Sequence, residues 1–171
     1  MRRALTSFLL ILQSSMAVAG EAGLEAVKGL VRARFPSVPQ LSTAELKAWQ
    51  ADPSRKKPVL FDVRTGPEFA TSHLPGAIRV EPSAKAAAVT PLVSAGTPVV
   101  AYCSVGYRSS ALAERLRKAG VLAVYNLEGS IFQWANEGGP LEAGGRSAVT
   151  VHPYNKTYGK LLDPQRRAAT K

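Results

Sequence analysis

The chain has 171 residues, 46% hydrophobic and 20% charged, with 22 Lys and Arg against 12 Asp and Glu for a formal net charge of +10. That length suits one domain plus extensions, and the apolar share supports a packed core rather than a disordered or collagen-like chain. A single cysteine excludes an intrachain disulfide, and with only two histidines and no Cys-x-x-Cys pair the usual zinc patterns are absent too.

The basic residues are dispersed, with the tightest cluster at Arg55-Lys56-Lys57 and a further group at Arg166, Arg167 and Lys171. No basic stripe interleaved with aromatics is present, so the charge reads as a solvated surface that attracts small anions, with no nucleic-acid partner.

In chain order, Met1-Arg2-Arg3, the mostly apolar run Ala4 to Met16 and the Ala17-Val18-Ala19 site form the pattern of a secretory signal peptide over residues 1–19. Export, to a periplasm, is the expectation. The competing reading is an uncleaved amphipathic anchor, the one case in which membrane contact is expected. Residues 20–39 follow as a helix and linker, with Leu24, Val27, Leu30 and Val31 on one face and Phe35-Pro36-Ser37-Val38-Pro39 as the break. The main domain is expected over 40–143 and a basic extension, mobile at its end, over 144–171.

Within the domain, Ser42-x-x-Glu45 is a capping box for a helix through Trp49. Val59 to Val63 reads as a strand buried on both faces, as in a parallel sheet. A short strand at Ala77 to Val80 precedes a helical stretch, Ser83 to Ala95, that Pro91 must interrupt. Thr97 to Tyr102 is the central strand, the segment after Arg108 a helix capped by Gly120, Val121 to Leu127 the last buried strand, and Ile131 to Glu137 a last helix with Trp134 inward. Strands alternate with helices, which predicts an α/β layer fold.

Cys103 lies in the turn between the central strand and the next helix. Unpaired amides at a helix start form an anion site, and together with a nearby cation such as Arg108 they favour the thiolate, the nucleophilic form of cysteine. Gly106 permits the tight curl such a loop needs.

Three ordered motifs between Gln40 and Glu142 resemble the rhodanese family of sulfurtransferases: the loop Cys103-Ser104-Val105-Gly106-Tyr107-Arg108; Asp62-Val63-Arg64 with Glu68-Phe69 and Ser72-His73-Leu74-Pro75-Gly76-Ala77; and the ending Asn126-Leu127-Glu128-Gly129-Ser130 with Trp134. The resemblance implies a rhodanese-like three-layer α/β fold, with a mostly parallel sheet of five strands flanked by helices. It implies Cys103 as the catalytic residue and Ser104, Val105, Gly106, Tyr107, Arg108 and Ser109 as the substrate-binding ring. Asp62, Arg64 and His73 are then site support rather than chemistry, and Ser72 stands where the family has glycine. The implied reaction carries sulfane sulfur on Cys103 from thiosulfate or a persulfide donor to cyanide or a thiol, with no cofactor or metal.

Three other readings stay open. A phosphatase of Cys-loop-Arg type would have a ring one residue longer. A binding module would use the fold alone, with the extension as the contact for a protein partner. A redox sensor would use only the exposed reactivity of the thiolate.

Overall fold

The computed structural model describes residues 20–169, so the signal-peptide expectation lies outside the described residues. Five short strands form the central sheet: β1 (Gln40–Leu41), β2 (Val59–Asp62), β3 (Ile78–Arg79), β4 (Val99–Tyr102) and β5 (Val124–Leu127), in the order β1-β5-β4-β2-β3. All four pairings are parallel. β4 is buried at every residue, as the continuous apolar run of a covered parallel strand requires.

Alternation along the strands divides the core into two layers. Leu60, Val100, Tyr102 and Leu127 face one side, where they meet Leu46 and Trp49 of α2 (Thr43–Ala51) and Ile131, Phe132 and Trp134 of α6 (Ser130–Asn136). Phe61, Val99, Ala101 and Cys103 face the other, against Leu112, Ala113 and Leu116 of α5 (Tyr107–Lys118) and Val89 of α4 (Ala86–Val89). This is the expected three-layer α/β fold, with a sheet that is wholly rather than mostly parallel. Burying each large apolar side chain contributes about 1.5–3 kcal/mol, which explains why such short strands hold together.

Local signals act where the sequence places them. Ser42 and Glu45 form the capping box of α2, with the Glu45 amide donating to Ser42 Oγ at 3.1 Å and the Ser42 amide to Glu45 Oε2 at 2.8 Å. Pro91 does interrupt the alanine-rich stretch, which closes as a 3-10 turn at Thr90–Leu92. Gly120 follows the end of α5 at φ +92°, with its amide donating to Arg117 O at 3.0 Å. Trp134 is in the core, and its Nε1 donates to Pro140 O at 2.9 Å.

The first helix, α1, covers residues 20–34. Leu24 and Val31 are buried, but Leu30 is 71% exposed, a correction to the expected face. Leu24 and Val31, seven positions apart, share the inward stripe, and at about 100° per residue Leu30 is turned away from it toward solvent on a helix covered on one side.

Gly144-Gly145, read from sequence as a boundary, is the turn of an antiparallel hairpin joining β6 (Leu141–Ala143) to β7 (Arg146–Ala148), with both glycines at positive φ. As far as residue 169 the chain beyond it folds back over the domain, and the end at 170–171 lies outside the described residues. Val151 is fully buried, donates its amide to Arg166 O at 2.7 Å and accepts from the Ala168 amide at 2.9 Å, so Arg166 and Arg167 are built into local pairing. Leu162 is buried beside Val151, and Asn136 of α6 bonds both Leu161 O (2.9 Å) and the Asp163 amide (3.0 Å). Among the described residues no helix is long and apolar enough to cross a membrane.

Candidate active site

β2 and β4 are neighbours, yet the chain continues from β2 to β3 on one side and from β4 to β5 on the other. Their C-terminal ends therefore form a topological switch point, the place where parallel α/β sheets hold ligands. Cys103 is the first residue beyond β4, and α5 begins at Tyr107.

The loop between them is oriented by α6. The first amides of that helix, at Ile131 and Phe132, donate to the carbonyls of Cys103 and Ser104, each at 3.2 Å. The Cys103 amide in turn donates to Ser130 Oγ at 3.1 Å. With those carbonyls captured outside, the later amides of the loop turn toward the sulfur, and Gly106 N–H reaches Cys103 Sγ at 3.2 Å. Gly106 does this at φ +107°, and a Cβ there would lie 3.1 Å from Asn126 Nδ2. Glycine is required both by conformation and by space.

Burial pushes the Cys103 thiol up, since a buried sulfur disfavours charge. The Arg108 guanidinium, the Ser109 hydroxyl and the amides of Ser109 and Gly106 outweigh it, so the thiol lies below its ordinary value. The Ser109 hydroxyl has one proton, and it goes to Asn126 Oδ1 at 2.6 Å. Without rearrangement, the amides of Ser109 and Gly106, and not the Ser109 hydroxyl, are the donors left for the thiolate.

Arg108 is held by Glu68 as a two-pronged pair, Nη1 to Oε2 at 2.8 Å and Nη2 to Oε1 at 2.7 Å. Ser104 Oγ joins the pair, donating to Glu68 Oε1 and accepting from Arg108 Nη2, both at 3.0 Å. Burial pushes the Glu68 carboxyl up, but Arg108 and the Thr65 amide and hydroxyl more than offset it and hold it at about 2. Cys103, Ser104, Val105, Tyr107 and Arg108 line a pocket of about 140 Å³ together with Tyr154 and Tyr158.

The family model for the rhodanese-like domain matches residues 42–137, more than half of the chain. The chain belongs to the rhodanese-like family. Two curated relatives of this rhodanese-like chain are the uncharacterized protein YqhL of Bacillus subtilis, 34% identical over 52% of the chain and 67% of the relative, and a tRNA uridine(34) hydroxylase of Cupriavidus necator, 32% identical over 79% of the chain and 50% of the relative. Among solved structures, the thiosulfate sulfurtransferase of Pseudomonas aeruginosa superposes with a TM-score of 0.60 at 26% identity, over 79% of this chain and 26% of that one. The rhodanese-like chain thus spans half the length of the hydroxylase and about a quarter of the sulfurtransferase.

Of the remaining residues singled out in the sequence, Tyr107 belongs to this rhodanese-like loop, and Asp62, Arg64 and His73 sit around it. Tyr107 lines the pocket while packing edge-on against Phe35 of the N-terminal segment, ring centroids 5.1 Å apart. Asp62 and Arg64 form a fully buried pair, Nε to Oδ1 at 2.8 Å and Nη2 to Oδ2 at 2.6 Å, and Arg64 Nη2 also donates to Ser72 O at 2.5 Å. His73 stacks on Phe69 at 3.8 Å, its Nδ1 lies 3.0 Å from Phe69 O, and its Nε2 faces Glu142 at 3.4 Å. None of these three side chains bonds Cys103; they fix the turn that follows β2. Ser72 adopts extended backbone that needs no glycine, and its hydroxyl anchors Thr150 O at 2.7 Å.

Five site residues escaped the sequence reading. Glu68 was visible only as part of a motif, with nothing local to mark it as the counterion of a residue forty positions on. Ser130, at φ +53°, and Asn126 belong to the Asn126–Ser130 motif, where nothing in the sequence marks their role. Tyr154 and Tyr158 lie in no motif at all. Among the described residues no group of three or more His, Cys, Asp or Glu is placed to hold a metal ion.

Proposed function

We propose that this protein is a sulfurtransferase that carries sulfane sulfur on Cys103. The observation that carries the reading is the thiol itself, enclosed by loop amides with Gly106 N–H at 3.2 Å and lowered by Arg108. In the loading step the Cys103 thiolate attacks the outer sulfur of thiosulfate. A Cys103–sulfur bond forms, the sulfur–sulfur bond of thiosulfate breaks, and sulfite leaves with the electron pair. A persulfide donor would lose a thiolate in the same way. In the discharge step cyanide or the thiolate form of an acceptor thiol attacks the outer sulfur of the anionic persulfide, and Cys103 departs as thiolate. Loop amides stabilise the negative charge in both forms, so little reorganisation accompanies transfer. No proton must move, which fits a site whose histidine is engaged in a turn.

Support also comes from the structural likeness to the Pseudomonas sulfurtransferase. Because Arg108 is already neutralised by Glu68, persulfides of low charge fit the pocket better than thiosulfate does. Intact mass before and after donor, then after cyanide, tests the reading with Cys103→Ser alongside. A gain of about 32 Da, one sulfur, that cyanide reverses and the variant lacks is the expected result. No gain with thiosulfate or any persulfide donor would overturn it in favour of a binding module or a redox thiol.

A second reading, action on RNA, draws on the match to the tRNA hydroxylase, which extends over 145 residues and so beyond the rhodanese-like domain. With a net charge of +10 it predicts tRNA binding that weakens steeply with salt, and absence of binding at low salt removes it.

A further inference from the structure

The segment after the hairpin supplies one wall of the Cys103 pocket. Tyr154 places its ring over the Arg108 guanidinium, 5.0 Å from the ring centroid, and meets Tyr158 edge-on with centroids 5.5 Å apart. Both tyrosines line the pocket with Cys103, Val105 and Tyr107. Tyr154 holds this place at φ +64°, a conformation that a bulky side chain adopts only when its surroundings enforce it. The enforcement is visible: the Tyr154 amide donates to His152 Nδ1 at 3.0 Å, and the segment is anchored by Ser72 Oγ on Thr150 O and by buried Val151. Past Tyr158, the segment is seated on α1, where a Cβ on Gly23 would come within 2.8 Å of Leu161 Cδ2. The rings are therefore fixed at the mouth of the site by contacts outside it.

We propose that Tyr154 and Tyr158 are the specificity-determining residues of the Cys103 pocket, a size filter that admits small sulfur donors and acceptors and turns away bulky thiols. The sulfur-transfer part of this proposal rests on the function proposed above. The filter follows from dimensions at an open cleft: the space of about 140 Å³ over Cys103 takes thiosulfate, cyanide and small thiols or persulfides whole, whereas a tripeptide thiol must leave most of its bulk outside, against the half-exposed Tyr154 ring. Tyr154 also covers one face of Arg108, which leaves the cation to act on ligands that reach the sulfur side.

Cys103 is the sole cysteine, so its alkylation by two maleimides of the same chemistry, N-methylmaleimide and N-(1-pyrenyl)maleimide, can be followed by intact mass on the full chain. The wild type is expected to react much faster with the small reagent. Tyr154→Gly removes the ring yet keeps the backbone comfortable at positive φ, and should cut that preference at least fivefold. Tyr154→Phe retains the ring and should retain the preference. The discharge ratio of cyanide to glutathione from a loaded persulfide should move in the same direction. A wild type indifferent to reagent size, or a preference unchanged in Tyr154→Gly, overturns the filter. Failure of the wild type to load sulfur refutes the sulfur-transfer reading separately, because the maleimide ratio needs no persulfide.

Discussion

Glu68 and Arg108 face each other as a two-pronged ion pair beside the Cys103 loop, with bonds of 2.8 and 2.7 Å. Glu68 sits in the first turn of α3 (Gly66–Thr71), and Arg108 in the first turn of α5, so the pair ties the two helices that flank the switch point. The cation that lowers the thiol is thereby held in place, and much of its field is cancelled toward solvent.

The pair makes stability depend on acid. The Glu68 carboxyl lies at about 2 in the folded chain against an ordinary 4.5, so its contribution is present in full above the unfolded value and is lost as pH falls from 4.5 toward 2. A shift of that size is worth at most about 3 kcal/mol, and solvent reaching the 21% exposed Arg108 side chain screens part of it. Urea unfolding of wild type should show the midpoint dropping over that range, and Glu68→Gln should flatten the pH dependence there. Parallel curves for the two proteins would show that the pair does not carry it.

The thiol itself should respond to the cation. Replacing the pair by a neutral one, Glu68→Gln with Arg108→Gln, avoids leaving a buried charge alone and removes the strongest influence opposing burial of Cys103. The thiol pKa is then expected to rise, because the opposite charge that favours the thiolate is gone while burial still disfavours it. Thiolate absorbance against pH, together with the pH dependence of iodoacetamide alkylation, checks it. An unmoved titration would assign the lowering to the loop amides.

Gly106 joins conformation to chemistry in one residue. Gly106→Ala must place a methyl group at φ +107° and 3.1 Å from Asn126 Nδ2, while the amide it carries is the one that reaches the sulfur. Strain of this kind costs about 1–3 kcal/mol. Thermal unfolding should fall accordingly, and alkylation of Cys103 near neutral pH should slow because the amide cradle shifts. A stable variant with undiminished reactivity would show that the loop can supply another donor.

How far the sequence disclosed this site can be judged residue by residue. The strand run Val99 to Tyr102, the cysteine after it, the glycine and the helix form one local signal, since adjacent residues impose the turn and the helix supplies the amides. The capping box at Ser42 and the interruption at Pro91 were legible for the same reason. Glu68, Ser130 and Asn126 take their roles from partners distant in the chain, and no periodicity announces a counterion or a cap on a neighbouring loop. Tyr154 was hidden further, because it lies outside any helix or strand and its place depends on Val151 and Leu162 finding a core built by other elements. Leu30 shows the converse: an apolar residue adjacent to a buried one has no claim to burial.

The buried pair below the loop separates charge balance from charge itself. Asp62 and Arg64 are fully buried; three bonds from the guanidinium reach the carboxylate and one reaches Ser72 O, while Arg64 Nη1 has no partner among the described residues. Removing the carboxylate leaves a cation stranded in the core, so Asp62→Asn should cost about 3–5 kcal/mol. Removing both charges, as Asp62→Asn with Arg64→Met, deletes the desolvation penalty along with the attraction and should recover a large part of that loss. A double-mutant cycle from urea midpoints measures the recovery. The tie to Ser72 O is lost in the double variant, and Ser72 holds the start of the segment that carries Tyr154. The double variant should therefore regain stability while its Cys103 loses size preference toward maleimides. Regained stability with full preference would make Asp62 and Arg64 purely a folding device, whereas a double variant as unstable as Asp62→Asn would mean that the bond to Ser72 O, not the neutralised charge, is what the pair contributes.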